Sequence, residues 1–133
     1  MFNTNFNVIL KLREDLINIL SDFENLGEDW TGESSSPPCK IITKNVLYLI
    51  DNLPLEYVLK LDIQDDLTPT PLGSICIDFW LNKNSQLSLQ VGKNICNFYL
   101  QIEGRYICGY NNLKINEVYT LDLIKEKLEV LYK

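Results

Sequence analysis

The sequence predicts a single α+β domain over residues 1–133, because its hydrophobic period changes from helical to alternating and then back to helical. Apolar residues recur every three or four positions before Pro54, every second position between Gly73 and about Cys108, and every three or four again after Thr120. The expected architecture is an N-terminal helical hairpin, an antiparallel meander of three to five strands, and a C-terminal helix packed on one sheet face. With 46% hydrophobic and 23% charged side chains in 133 residues, the chain has the balance of one globular core rather than of a disordered segment.

From about Phe6 to Phe23, the residues Ile9, Leu12, Leu16, Ile19, Leu20 and Phe23 form one apolar stripe, with Thr4 or Asn5 placed to cap the helix and Gly27 at its exit. Residues 27–38 are too rich in Gly, Ser and Pro for regular structure and read as a loop around Trp30. Ser36 before Pro37 reads as an N-cap with proline in the first turn. The second helix then reaches about Leu53, burying Ile42, Val46, Leu49, Ile50 and Leu53, and Pro54 stops it. Tyr57 to Ile63 reads as a short strand or an extended connection, and Asp65 to Pro71, with two prolines, as a loop.

Strands follow from Gly73. Ile75, Ile77, Phe79 and Leu81 point one way, with Cys76, Asp78 and Trp80 the other. Polar turns at Asn82–Ser85 and Gly92–Asn94 separate Leu87, Leu89 and Val91 from Cys96, Phe98, Leu100 and Ile102, and Gly104-Arg105 leads to Tyr106, Ile107 and Cys108. The last helix carries Leu121, Ile124, Leu128 and Leu131 in register, with Thr120 as cap and Glu117 to Tyr119 extended before it. The helices are expected to cover one face of the meander, since that face is too apolar for water.

The residue inventory removes the common chemistries. No histidine is present, which excludes the usual general base and any mixed Cys/His zinc site. Cys39, Cys76, Cys96 and Cys108 form no CxxC pair and read as small core residues; only Cys39, near the start of the second helix, is a candidate reactive thiol. The carboxylates around Trp30 and those at Asp62, Asp65 and Asp66 lack the spacing and central glycine of an EF-hand loop, so they read as solvated. No glycine-rich phosphate loop precedes a helix. The reading is therefore a non-enzyme without catalytic residues, cofactor or metal.

Charge is lopsided. Residues 14–78 carry thirteen acids against three bases, while the other residues carry five acids against nine bases, giving a net charge of −6. This acidity disfavours nucleic acid despite Lys83, Lys93 and Arg105 beside Tyr99, Tyr106 and Tyr110. No run approaches the roughly 20 apolar residues of a membrane span. Met1 to Asn7 lacks the basic region and apolar run of a signal peptide, so no membrane association and a cytoplasmic location are expected.

Two segments resemble a known group. Gly27-Glu28-Asp29-Trp30-Thr31-Gly32, followed by Pro37-Pro38, resembles a W-D-G-x-G-A-x-P segment, and Pro69-Thr70-Pro71-Leu72-Gly73-Ser74-Ile75-Cys76-Ile77-Asp78-Phe79 is similar to P-T-P-D-G-G-I-x-L-E-W. Both occur in a broad group of small, poorly characterised bacterial proteins. Thr31, Leu72 and Phe79 depart from that pattern. The resemblance implies no established activity; members of the group are often suspected companions of toxins or mobile-element genes.

The expected function is protein interaction, of an antitoxin-like or immunity-like kind, through Glu28, Asp29, Trp30, Glu33, Asp65, Asp66 and Trp80 facing a basic partner. Trp30 is expected to lie over the sheet end near Asp78 and Phe79 and close the core. The alternatives are a small ligand-binding domain or enzyme with a pocket near the Trp30 loop and the start of the sheet, and homo-oligomerisation through strand edges or the Trp80 face.

Overall fold

A computed structural model describes residues 2–133, with side chains described from Phe6 onward. Helices α1 (Phe2–Glu24) and α2 (Lys40–Asn52) form the hairpin, and two single turns follow, α3 (Leu55–Val58) and α4 (Ile63–Asp66). Strands β1 (Leu67–Pro69), β2 (Ile75–Asn82), β3 (Ser85–Val91), β4 (Ile95–Ile102) and β5 (Arg105–Lys114) form one antiparallel sheet in chain order, and α5 (Val118–Leu131) closes the fold.

The core sits between one sheet face and the helices. Ile75, Ile77 and Phe79 of β2, Leu87, Leu89 and Val91 of β3, and Cys96, Phe98 and Leu100 of β4 point into it. Val46 and Leu49 of α2 and Ile124 and Leu128 of α5 meet them. Leu16, Leu20 and Phe23 of α1 join the same core. The expected α+β architecture is the observed one: period 2 fills the inner face of the sheet and period 3.6 the helices above it.

Several boundaries differ from expectation, each for a local reason. The first helix runs through Thr4 and Asn5, so neither stands at its start, and their side chains lie outside the described residues. The second helix begins at Lys40, not at Pro37, with Cys39 at the N-cap position making no side-chain cap bond. Pro38 holds Pro37 out of the helical region, and the Ser36 N–H is committed to the Pro71 carbonyl at 2.9 Å. Residues 57–63 form neither strand nor plain connection. They hold the end of α3 and the start of α4, burying Val58, Leu61 and Ile63. The expected loop Asp65–Pro71 contains the end of α4 and all of β1, an edge strand where Pro69 is tolerated. Glu117–Tyr119 is not extended: Glu117 is the N-cap and helix begins at Val118, while the buried Thr120 hydroxyl donates back to the Lys114 carbonyl at 2.6 Å.

Bulges interrupt the alternation at three places. The β2–β3 register shifts between Trp80 and Asn82, so Leu81 is turned outward and is 52% exposed instead of joining Phe79 in the core. On β5, Asn111 and Asn112 together oppose Asn97; Asn112 has a φ of 60°, and its N–H donates to Asn97 Oδ1 at 2.7 Å. A second shift near Ile107 pairs Tyr106 with Gln101 and so places it on the face away from the helices.

Candidate functional site

The two segments of the sequence resemblance, some forty residues apart, meet in space. Ser36 donates its N–H to Pro71, and the Cα of Gly73 faces the Pro37 carbonyl, which a Cβ would approach to 3.5 Å. Gly73 has a φ of +91°, the left-handed region that suits glycine. Beyond that contact, Thr70 and Ser74 share a hydroxyl hydrogen bond of 2.6 Å, and Ser74 Oγ accepts from Gln90 Nε2 at 2.9 Å. The loop is thereby fastened to β3.

Within the loop, Asp29 and Trp30 work on their own neighbours. Asp29 Oδ1 accepts from the Ser34 N–H at 2.6 Å, Thr31 donates twice to Ser35 Oγ, and Ser36 Oγ donates to Glu28 at 3.3 Å. Trp30 Nε1–H donates to the Ser36 carbonyl at 3.0 Å, which folds the half-buried indole back over its own loop. It belongs neither to the core nor to the half-buried side chains packed on it, so the expected closure of the core by Trp30 is not what the fold shows. Glu28, Asp29 and Glu33 remain exposed.

A second group forms at the other end of the β1–β2 ribbon. One step beyond the pair Leu67↔Ile77, the antiparallel register brings Asp66 beside Asp78. The Asp66 carboxyl is pushed up chiefly by burial and also by the charges of Asp62, Asp78 and Asp65, while the Asp62 N–H, 2.8 Å from Oδ2, opposes the shift. Trp80 lies two residues along from Asp78 on the same strand face and is 41% exposed. β1 has ended at this point. The Tyr132 hydroxyl donates to the Trp80 carbonyl at 3.2 Å, and its own proton is held up to about 12, first by burial and then by Asp66. Tyr57 stacks on Tyr132 at 5.4 Å, and Lys60 lies 5.2 Å from the same ring.

The predicted residues thus fall into two places rather than one. Asp65, Asp66 and Trp80 fall at the end of the ribbon where Leu67 pairs with Ile77, whereas Glu28, Asp29, Trp30 and Glu33 belong to the loop fastened beyond its other end, through Ser36 and Pro71. Asp62 and Asp78 join the first group, as the acidic pattern in the sequence allowed. Tyr132 was not foreseeable, since nothing in a helix-terminal tyrosine tells which strand carbonyl it will meet.

The sheet face away from the helices is uncovered and carries short polar and aromatic side chains. Asp78 accepts from Ser88 Oγ at 2.6 Å, and Gln86 Nε2 donates to the Tyr99 hydroxyl at 2.7 Å. Gln86 Oε1 is buried without a partner. Tyr99 is 37% and Tyr106 69% exposed on this side.

The cysteines divide. Cys96 is buried, and burial pushes its thiol up to about 11; Cys76 lies half-buried on the open face, its thiol raised by burial and by Asp78. Cys39 and Cys108 are half-buried against the core. Among the described residues no group of three or more His, Cys, Asp or Glu is placed to hold a metal, and no helix is long and apolar enough to cross a membrane. Compared with family models, curated proteins and solved structures, the chain matches none.

Proposed function

We propose that this protein is a non-catalytic interaction domain that binds a basic partner protein through the edge formed by Asp62, Asp65, Asp66, Asp78 and the exposed Trp80. The observation that carries the reading is the gathering of Asp62, Asp65, Asp66 and Asp78 at one end of the β1–β2 ribbon, beside an indole open to solvent. Lysine or arginine from a partner relieves that repulsion, and an exposed aromatic supplies contact area at the same spot. A cytoplasmic companion of the antitoxin or immunity kind fits such an edge, and the sequence resemblance adds that context.

A partner other than a second copy is favoured by the far edge of the sheet. β5 begins with Arg105 and ends with Lys114, so two β5 strands paired antiparallel end to end would oppose like charges. The Trp30 loop supplies a second acidic surface, tied together by its internal hydrogen bonds.

The test is capture from the native host at low and high salt. The wild-type chain retains a basic protein at low salt and releases it at high salt, and Trp80→Ala or Asp65→Asn/Asp66→Asn loses it. A partner that is held equally by the variants, or is indifferent to salt, contradicts this reading.

A further inference from the structure

The open sheet face holds a hollow of about 390 Å³ on the β3–β5 side, and none of the residues lining it is charged. In a chain where 23% of residues are Asp, Glu, Lys or Arg, this neutrality narrows the ligand. Phosphates and carboxylates find no counter-charge in the lining, and the nearby Asp78 is already engaged by Ser88, whereas uncharged hydrogen-bonding groups find several partners. Its volume lies in the lower part of the range of ligand sites, roughly 300–1,000 Å³.

The lining is a set of donors and acceptors that the fold leaves half used. Gln90 commits its Nε2 to Ser74, which leaves its carbonyl oxygen; Asn97 commits its Oδ1 to Asn112, which leaves its amide N–H groups. Ser88 donates to Asp78 and keeps its oxygen lone pairs, and the Tyr99 hydroxyl accepts from Gln86 and keeps its proton. Asn111, in the bulge opposite Asn97, adds a whole amide.

Tyr106 supplies a platform. The bulge at Ile107 turns it onto this face, and its side chain lies across Gly109, where a Cβ would come within 2.5 Å of the phenol oxygen and 3.3 Å of the ring. The glycine therefore lets the phenol end of Tyr106 sit close on the sheet while most of the residue, 69% exposed, remains open to solvent. A flat aromatic ring beside amides and hydroxyls matches a sugar, whose C–H face packs on the ring while its hydroxyls both donate and accept.

We propose that this hollow binds a neutral saccharide, with Tyr106 as the stacking platform and Ser88, Gln90, Asn97, Asn111 and Tyr99 as the hydrogen-bonding wall. None of Asp62, Asp65, Asp66, Asp78 and Trp80 lines the hollow; it adjoins the acidic edge at Ser88, whose hydroxyl donates to Asp78. Trp80 lies outside that contact, so a Trp80 variant tells failure of one reading from failure of the other.

The test is an NMR titration of the full ¹⁵N-labelled chain with the methyl glycosides of glucose, galactose, mannose and N-acetylglucosamine, with glycerol and methyl phosphate as controls. At least one glycoside shifts the amides of Ser88, Gln90, Asn97, Gly109 and Asn111, with a dissociation constant of about millimolar order. Tyr106→Ala removes the platform, and Gly109→Ala keeps the tyrosine but lifts its ring; each weakens binding about tenfold. Trp80→Ala leaves it unchanged while abolishing capture of the protein partner. The proposal is overturned if no glycoside moves these amides, if glycerol or methyl phosphate moves them equally, or if neither the Tyr106 nor the Gly109 variant weakens binding.

Discussion

Gly73 joins two distant loops through one backbone angle. Its φ of +91° lets the turn after β1 present its Cα to the Pro37 carbonyl, and a Cβ at 3.5 Å would fit the space but not the angle. Gly73→Ala should therefore cost about 1–2 kcal/mol from backbone strain alone, read as a lower urea midpoint with an unchanged slope. An unchanged midpoint would show that the turn relaxes. The buried Cys96 thiol and the half-buried Tyr132 phenol both hold their protons more tightly in the fold than in the open chain. Cys96 is raised to about 11 and Tyr132 to about 12, both mainly by burial, so the native state keeps these protons where the unfolded chain has released them. Their stabilisation is complete below the ordinary thiol value of 9.0 and is lost as pH rises towards 11 and then 12. Urea midpoints measured from about pH 8 upward should fall with pH, and Cys96→Ala should remove the earlier part of the fall. A midpoint that stays flat through this range would contradict the raised proton affinity of both groups.

Among the elements, those with several repeats of one period were legible and those with a single turn were not. Leu87, Leu89 and Val91 declare β3 because nothing interrupts their alternation, and Leu121, Ile124, Leu128 and Leu131 declare α5 equally well. α3 and α4 are four residues each, too short to show a period, and β1 is three residues ending in proline. Bulges are set by pairing between strands, so Leu81 reads from sequence as one more position on the Phe79 side, and nothing in the sequence assigns Tyr106 to a face. The same blindness applied to the candidate site: the acids and Trp80 were visible, but their division between two ends of the ribbon depends on register. Phe79 and Leu81 test the bulge directly. Phe79→Ala should cost about 3–5 kcal/mol because the ring is fully buried, whereas Leu81→Ala should cost under about 1 kcal/mol. Equal losses in thermal or urea unfolding would place Leu81 back in the core.

At the scale of the whole molecule, the lopsided charge of the sequence becomes a lopsided sheet. Asp62, Asp65, Asp66 and Asp78 gather at the β1–β2 edge, while β5 carries Arg105 and Lys114 at its ends. Helices cover one face, leaving the other with Trp80, Tyr99 and Tyr106 among polar side chains of which Asp78 is the charged one at the acidic edge. Contact through the acidic edge therefore requires no rearrangement of the core, only access to β2 where β1 has ended. Hydrogen–deuterium exchange on the captured complex tests this most directly. Binding should slow exchange in residues 62–67 and 78–82 and leave α1 and α2 as in the free chain. Protection confined to the helical hairpin, with the β1–β2 edge exchanging as freely as before, would contradict it.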